Sequence, residues 1–406
     1  MPTFFWGLRP NWLEIDLDVL RDNVAAIRQY LDRRGGRRSR IAAVVKAEGY
    51  GHGAIAVART ALKSGADSLA VAIPDEGIAL RKEGFDVPIL ILGWTPPDMM
   101  EEAIELDLGL TIFSLRDARA LTKAAREANS AVAVHVKIDT GMSRLGFPPV
   151  REAVDDILAI ASMEGIELQG LFTHFAVADE DPAFTKEQIR RYLSVNNMLR
   201  EAGLKIAIRH LCNSAGILDF PEVAFDMVRP GLVMYGVYPS PSVSRSVPVE
   251  QFMTWKTRIS QIRDICPGDS VGYGRIHVAE EPERVATLPV GYADGFSRSL
   301  SGGVGEVLIR GRRCPILGRV CMDQTMVALP EGVVPEVGEE VVLLGSMGRE
   351  TIDVVEMAGR RGTIAHEVFT GIGPRVPRTL LEGGRAVGRA KLLDYGATLL
   401  EHGGME

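Results

Sequence analysis

Through the first 235 residues, short β-branched runs alternate with amphipathic segments, and this alternation constrains the fold more than any other feature of the 406-residue chain. The runs are Ile41–Val45, Ser68–Ala72, Pro88–Leu92, Leu110–Phe113, Val132–Ile138, Leu168–Phe175, Ile208–Leu211 and Ala224–Val228. Most are continuous apolar stretches, as expected of strands buried on both faces. Helix-like segments lie between them: Gly53–Ser64, Asp75–Glu83, Leu115–Asn129, Val150–Glu164 and Thr185–Ala202. A further helix, Asp16–Tyr30, precedes the first strand. Eight strand-plus-helix units over roughly 230 residues fit a parallel (β/α)8 barrel of the TIM type. An open doubly wound sheet fits the same periodicity.

The character changes at Pro239-Ser240-Pro241, which reads as a linker. Beyond it, short runs follow one another without long helices: Thr257–Asp264, Arg284–Pro289, Val304–Ile309, Cys314–Gly318, Gln324–Leu329 and Glu340–Leu344. This pattern predicts a mostly-β, even all-β, C-terminal domain. The expected division is a barrel over 1–240 and a β-rich unit over 241–406, with the N-terminal strand a candidate to join the latter. The last residues, Leu400–Glu406, read as a frayed tail.

Charge and apolar patterning narrow the function. Lys and Arg number 46 against 53 acidic residues, a net −7 that argues against a nucleic-acid partner. No apolar run approaches the roughly 18–20 residues that span a bilayer, so no membrane partner is expected. Met1–Trp6 lacks the pattern of a signal peptide, which makes a cytoplasmic location the expectation. Cys212, Cys266, Cys314 and Cys321 form no C-x-x-C pair, so neither a metal nor a disulfide framework is predicted. The phosphate-loop, zincin and nucleophile-elbow motifs are absent.

Polar residues recur where barrel strands end. Lys46 closes the first run, in Val44-Val45-Lys46-Ala47-Glu48-Gly49-Tyr50-Gly51-His52-Gly53. A lysine there projects into the barrel mouth, where active sites of this fold lie. A strand-end lysine also snorkels to solvent in many proteins, but a desolvated one has a lowered pKa and forms Schiff bases. Lys137 and Asp139–Arg144 follow the fifth run, His174 ends the sixth, Asn213-Ser214 follow the seventh, and Arg229-Pro230-Gly231 follow the eighth. Alone, His174 would be a core histidine and Arg229 an ion-pair partner. Five such placements on one face argue for a site. The loops after strands seven and eight commonly hold phosphate, which suits the Ser214 hydroxyl and the Gly231 backbone.

These residues carry a resemblance. Nine ordered landmarks, from Val45-Lys46-Ala47 to Arg375-Val376-Pro377-Arg378, are similar to the alanine racemase family. Among them are Lys137–Gly146, Thr173-His174-Phe175-Ala176, Asn213-Ser214, Met227–Gly231, Val271-Gly272-Tyr273-Gly274, Gly291–Gly295 and Cys321-Met322-Asp323-Gln324. The resemblance implies a pyridoxal-phosphate enzyme that interconverts L- and D-alanine and supplies D-alanine for peptidoglycan. By the same resemblance, Lys46 would hold the cofactor as a Schiff base and serve as base on one face of Cα. Tyr273 would be the opposing base, given over the cofactor of the second subunit in a homodimer. An ordinary phenol, with a pKa of about 10, is a poor base at neutral pH and needs positive charge beside it. His174 and Arg229 are the family's neighbours for that purpose, and Arg229 would also face the pyridine nitrogen.

Tyr50, Ser214, Gly231 and Leu232 resemble the phosphate-binding set, and Arg144 with the Met322 backbone would fix the substrate carboxylate. Lys137 matches a lysine that is carbamylated in some members, where it orients the arginine; Asp323 stands in a supporting position. Tyr292, Asp179, Arg298 and Arg319 would line the substrate's route inward, or form a charge network at a subunit interface. One position departs from the family. Where relatives place tyrosine on the phosphate, this chain has His366, which is shorter and titratable. Two alternatives therefore stand beside alanine racemase: a related racemase that also takes serine, and a non-catalytic pyridoxal-phosphate carrier.

Overall fold

The computed structural model describes residues 9–33 and 38–393. Eight parallel strands form the barrel sheet: β2 (Arg40–Val44), β3 (Ser68–Val71), β4 (Ile89–Ile91), β5 (Leu108–Ile112), β6 (Val132–Lys137), β7 (Ile166–Phe172), β8 (Ile208–His210) and β9 (Met227–Val228). Each pairs with the next from β2 to β8, and β9 returns beside β2. The β8–β9 seam is joined by Asp226 N to Arg209 O at 3.1 Å and Arg229 N to Cys212 O at 3.0 Å. Closure through β9 is what an open doubly wound sheet would lack.

Local chemistry sets where the outer helices begin. Asp16 caps Leu17–Asp32 by accepting from the Asp18 and Val19 amides, and Leu20, Val24 and Ile27 turn inward at helical spacing. Ser114 caps Leu115–Glu127 in the same way, and Asp181 caps Pro182–Glu201.

Several boundaries differ from the sequence reading. The first strand ends at Val44, so Lys46 opens the following turn rather than closing the strand. Strand β7 ends at Phe172, which leaves His174 in the loop beyond. The run Ala224–Val228 yields only the two-residue β9, because a 3-10 turn at Pro221–Val223 and a left-handed Phe225 take up its start. Thr257–Asp264 is two strands, Met253–Arg258 and Gln261–Ile265. Between them the chain changes partners: Ile259 N bonds Glu339 O, whereas Ser260 N bonds Thr287 O.

The second unit is a mostly-β sheet, but it also carries helices Val354–Arg361 and Ala365–Thr370. Its central strand Met253–Arg258 pairs antiparallel with Glu340–Met347 on one side and with β1, Asn11–Asp16, on the other. Strand β1 lies outside the runs marked in sequence; an N-terminal strand was a candidate to join this unit, and β1 pairs within it here. It also pairs in parallel with Arg378–Glu382. The Pro239–Pro241 stretch is pinned rather than loose. Ser240 Oγ donates to Asp179 O, Val243 and Val247 are buried, and Asn23 accepts from Glu250 N. The expectations for Met1–Trp6 and Leu400–Glu406 lie outside the described residues.

Arg378 fastens the sheet to the barrel. Buried, it donates to the carbonyls of Gly51, Gly373, Val376 and Ile372 at 2.6–3.0 Å. The fit at Gly51 is close: a Cβ there would lie 2.3 Å from Phe369 O, and its φ is +77°. Replacing Arg378 by methionine takes its donors from four carbonyls, of which Gly373 O keeps a bond from Val376 N at 3.2 Å, so Arg378→Met should lower unfolding stability by about 3 kcal/mol. A urea titration of the folded chain measures this; a loss within experimental scatter would disprove the fastening.

Candidate active site

A cavity of about 1180 Å³ opens at the C-terminal ends of the barrel strands. Ten of the residues singled out from sequence line it: Lys46, Tyr50, Arg144, His174, Asp179, Ser214, Arg229, Gly231, Leu232 and His366. Lys137 lies behind the wall, where its Nζ donates to Leu145 O at 2.7 Å. Tyr273, Tyr292, Arg298, Arg319, Met322 and Asp323 are on the β-rich unit and do not line the cavity of their own chain. Tyr273 is 71% exposed, and Ile276, Val278, Tyr292 and Met322 are exposed apolar or aromatic residues of the same region.

Lys46 begins an unusual turn. Ala47, Glu48, Gly49 and Tyr50 all have φ between 50° and 58°, so the chain winds left-handed for four residues. Each non-glycine residue there costs roughly 1–2 kcal/mol. Short backbone bonds hold the turn: Gly49 N to Val45 O, Gly51 N to Ala47 O and Gly53 N to Glu48 O, each 2.8 Å. The result carries Tyr50 under the cavity, where its ring stacks on Tyr235 at 4.5 Å. Burial pushes the Tyr50 phenol well above its ordinary range, so it remains a proton donor.

A cradle for an anion forms between the loops after β8 and β9. Ser214 Oγ accepts from Gly231 N at 3.1 Å and Val233 N at 3.2 Å. Glycine at 231 lets the Tyr50 hydroxyl approach closely: a Cβ there would sit 2.6 Å from it and force the phenol to shift. With its oxygen occupied by those two amides, the Ser214 hydroxyl is left to donate its own proton outward beside the Tyr50 hydroxyl, a pair of donors suited to phosphate.

Arg229 is held on nearly every side. One terminal nitrogen bonds His210 Nδ1 at 2.7 Å and His210 O at 2.9 Å; the other bonds Thr173 O at 2.8 Å and Leu211 O at 3.1 Å. Because arginine only donates, His210 Nδ1 must accept, which leaves the proton on Nε2. That proton is donated to His135 Nδ1 at 2.8 Å. His135 and His210 were not among the predicted site residues. Both lie on barrel strands and point inward, and a lone histidine in an apolar strand gave no functional signal.

Asp139 shapes the loop that presents Arg144. Its Oδ1 accepts from the amides of Gly141, Met142 and Ser143, each at 3.0 Å. Burial alone would raise the carboxyl's pKa, but those amides and Lys137 hold it below the usual value. The basic groups respond to their crowding. Burial and then Arg144 lower the pKa of Lys46, against an upward pull from Glu76. Burial brings Lys137 down to about 8. His174 is kept neutral by burial and by Arg229, Arg144, Lys137 and Lys46. His366 is lowered by burial and by Lys46, with Asp179 acting in the opposite direction. Four cationic side chains around neutral imidazoles make a site for an anionic ligand with a nucleophilic amine at its floor.

The chain is similar along most of its length to known proteins. Residues 15–239 match the alanine racemase N-terminal domain and residues 252–380 the alanine racemase C-terminal domain. An alanine racemase of Halothermothrix orenii is 43% identical over 371 residues, covering 91% of this chain and 96% of the relative. The solved alanine racemase of Clostridium difficile 630 superposes with a TM-score of 0.89 at 39% identity, over 94% of this chain and 98% of that one. The Bacillus anthracis alanine racemase with bound L-Ala-P gives 0.88 at 35% identity, over 96% and 98%. On the cavity, the barrel and the match along both domains, the chain belongs to the alanine racemase family.

Proposed function

We propose that this chain is a pyridoxal-phosphate-dependent alanine racemase, acting in the cytoplasm as a homodimer. The observation that carries the reading is the convergence of the Lys46 amine, Arg229 and the Ser214–Gly231 cradle in one cavity, within a chain of this family. Pyridoxal phosphate, when bound, supplies an aldehyde that condenses with amines and a ring that withdraws electrons from Cα. The residues fit it: Tyr50, Ser214, Gly231 and Leu232 would hold the phosphate, with His366 beside them. His366 faces Tyr50 with ring centroids 5.6 Å apart. Lys46 would hold the aldehyde carbon covalently and, when freed by the substrate amine, move the Cα proton on one face. Arg229 keeps its own proton and so would leave the ring nitrogen unprotonated, which favours proton return over side reactions. Arg144 and the Met322 backbone would fix the substrate carboxylate.

Racemisation needs a second base on the opposite face, and Lys46 cannot reach both. Tyr273 suits that role only if it comes from another copy, since it does not line its own chain's cavity. The partner subunit's Tyr273 would enter beside His174 and Arg229, bringing Met322 and the route-lining Tyr292, Arg298 and Arg319 with it, Asp179 waiting on the barrel side. Closed two-fold symmetry would repeat the arrangement twice. The Asp323 carboxylate, next to Met322 in the chain, accepts from Arg375 at 2.5 Å, and would brace that stretch of backbone. Loss of the α-proton to solvent deuterium from both L- and D-alanine tests the reaction itself. Exchange from neither enantiomer in the cofactor-loaded protein would sink it and leave a carrier.

Lys46→Ala and Tyr273→Phe should each abolish nearly all racemisation. Mixed under subunit exchange, they should recover about a quarter of wild-type activity, because one site of each heterodimer keeps both bases. No recovery despite demonstrated exchange would mean that Tyr273 serves its own chain.

The lowered Lys137 suits carbamylation, in which the neutral amine adds CO2, forms a nitrogen–carbon bond and releases a proton. With the pKa near 8, the neutral amine increases as pH rises through that value, so at a fixed concentration of dissolved CO2 carbamylation should be faster at pH 8.5 than at pH 6.5. Mass analysis after trapping the carbamate by alkylation reads this directly; equal labelling at the two values would count against it. Lys137→Ala should regain activity with a small added carboxylate or chloride.

His366 leaves more room beside the cofactor than the tyrosine of relatives. Measurable serine turnover is expected in the wild type, with its loss in His366→Tyr. Equal or greater serine turnover in that variant would remove His366 as the determinant.

A further inference from the structure

Glu76 is a buried carboxylate that neither cofactor nor substrate binding uses. It is 4% exposed, in the first turn of helix Pro74–Lys82. The ordinary role of a glutamate at that position is to reach back to the amide at the helix start. Here that bond, from Ile73 N, is the long one at 3.4 Å. The two short bonds go outside the helix. Glu76 Oε2 accepts from Ala72 N at 2.7 Å, just past the end of β3, and Oε1 accepts from Ala47 N at 2.6 Å, the first peptide after Lys46. One carboxylate therefore ties the ends of two neighbouring barrel strands together at the root of the reactive lysine.

The geometry points to Glu76 as a positioning residue for Lys46: its carboxylate anchors the left-handed turn at the first amide after the lysine and so holds a negative charge at the root of that side chain. The inference rests on the racemase reading only in taking Lys46 as the reacting amine. Three features agree with it. The turn needs an anchor, because Ala47, Glu48 and Tyr50 are held at positive φ without being glycine. A carboxylate is a stronger acceptor for amides than a neutral group would be. Besides Glu76, the charge acting on Lys46 is Arg144 from the loop after β6; Lys46 in turn acts on His174 from the loop after β7 and His366 from helix Ala365–Thr370, and Asp179 and Glu180 line the same cavity. Glu76 opposes Arg144 and pulls the Lys46 pKa upward. An amine that must both react as a nucleophile and carry a proton needs such a counterweight.

The test uses the full chain freed of pyridoxal phosphate, so it does not depend on turnover. Reductive methylation of Lys46 is followed against pH by mass analysis of the peptide that contains it. Glu76→Gln keeps the shape and removes the charge; its labelling midpoint should move to lower pH, whereas Glu76→Asp, which keeps the charge, should stay closer to wild type. A folded Glu76→Gln protein with an unmoved midpoint overturns the proposal. If that variant does not fold, the wild type decides through the Ala72 amide, which bonds the far oxygen of the same carboxylate. Its nitrogen–proton resonance should inflect at the Lys46 midpoint and lose that inflection in Lys46→Met. A flat Ala72 titration in the wild type overturns it equally. Absence of racemisation with these shifts intact would remove the racemase reading and leave the Glu76–Lys46 coupling standing.

Discussion

The barrel closes through a side chain. Strands β8 and β9 share only a thin seam of backbone bonds, and Arg229 stitches it by donating to His210 O and Leu211 O on one side and to Thr173 O beyond β7. At the opposite end of the same seam, Asp226 accepts from the Arg209 amide and guanidinium, both at 2.9 Å. The arginine is nearly inaccessible to solvent, and a charge so placed is tolerated only because carbonyls and an imidazole surround it. The group that would face the cofactor ring is thus the group that completes the fold. Its orientation is set by the barrel before any ligand arrives, which is what a preorganised site requires.

The remaining electrostatics follow from that fixed cation. Arg229 lowers the proton affinity of His135, His174 and His210, with burial as the larger cause in each. Neutral histidines can then serve as oriented acceptors and donors instead of adding to the positive charge. Lys46 and Lys137 lose proton affinity in the same crowd, again chiefly through burial. An anionic ligand relieves the repulsion among these groups, so affinity for phosphate and carboxylate is inherent in the arrangement.

Much of this was legible in sequence. All eight barrel strands were marked by buried apolar runs, and the polar residues at their ends marked the cavity, because a barrel sends the C-terminal ends of its strands to one face. Less legible was whatever depends on distant pairing. Asn11–Asp16 was only a candidate to join the second unit, because its partners lie more than two hundred residues later, at Met253–Arg258 and Arg378–Glu382. The division of Thr257–Asp264 depends on a change of neighbour that no local pattern records. The separation of Tyr273 from the cavity of its own chain follows from the packing of two units. Glu76 carried a local signal, a glutamate in the first turn of a proline-led helix, but that signal describes a helix start and is silent about Ala47.

The pairing of β1 bears on how the chain is made. During synthesis Asn11–Asp16 is made well before its partners, and neither neighbouring strand exists until residues near 258 and 382 have been added. At about 5–20 residues per second, the first wait alone is on the order of 10–50 s. The barrel strands, which end at Val228, are complete before that interval closes. A nascent barrel therefore carries an unpaired strand with free backbone edges, open to mispairing with another chain. Only the later arrival of the strands Met253–Arg258 and Arg378–Glu382 removes that hazard, so a later-made part of the chain protects an earlier one.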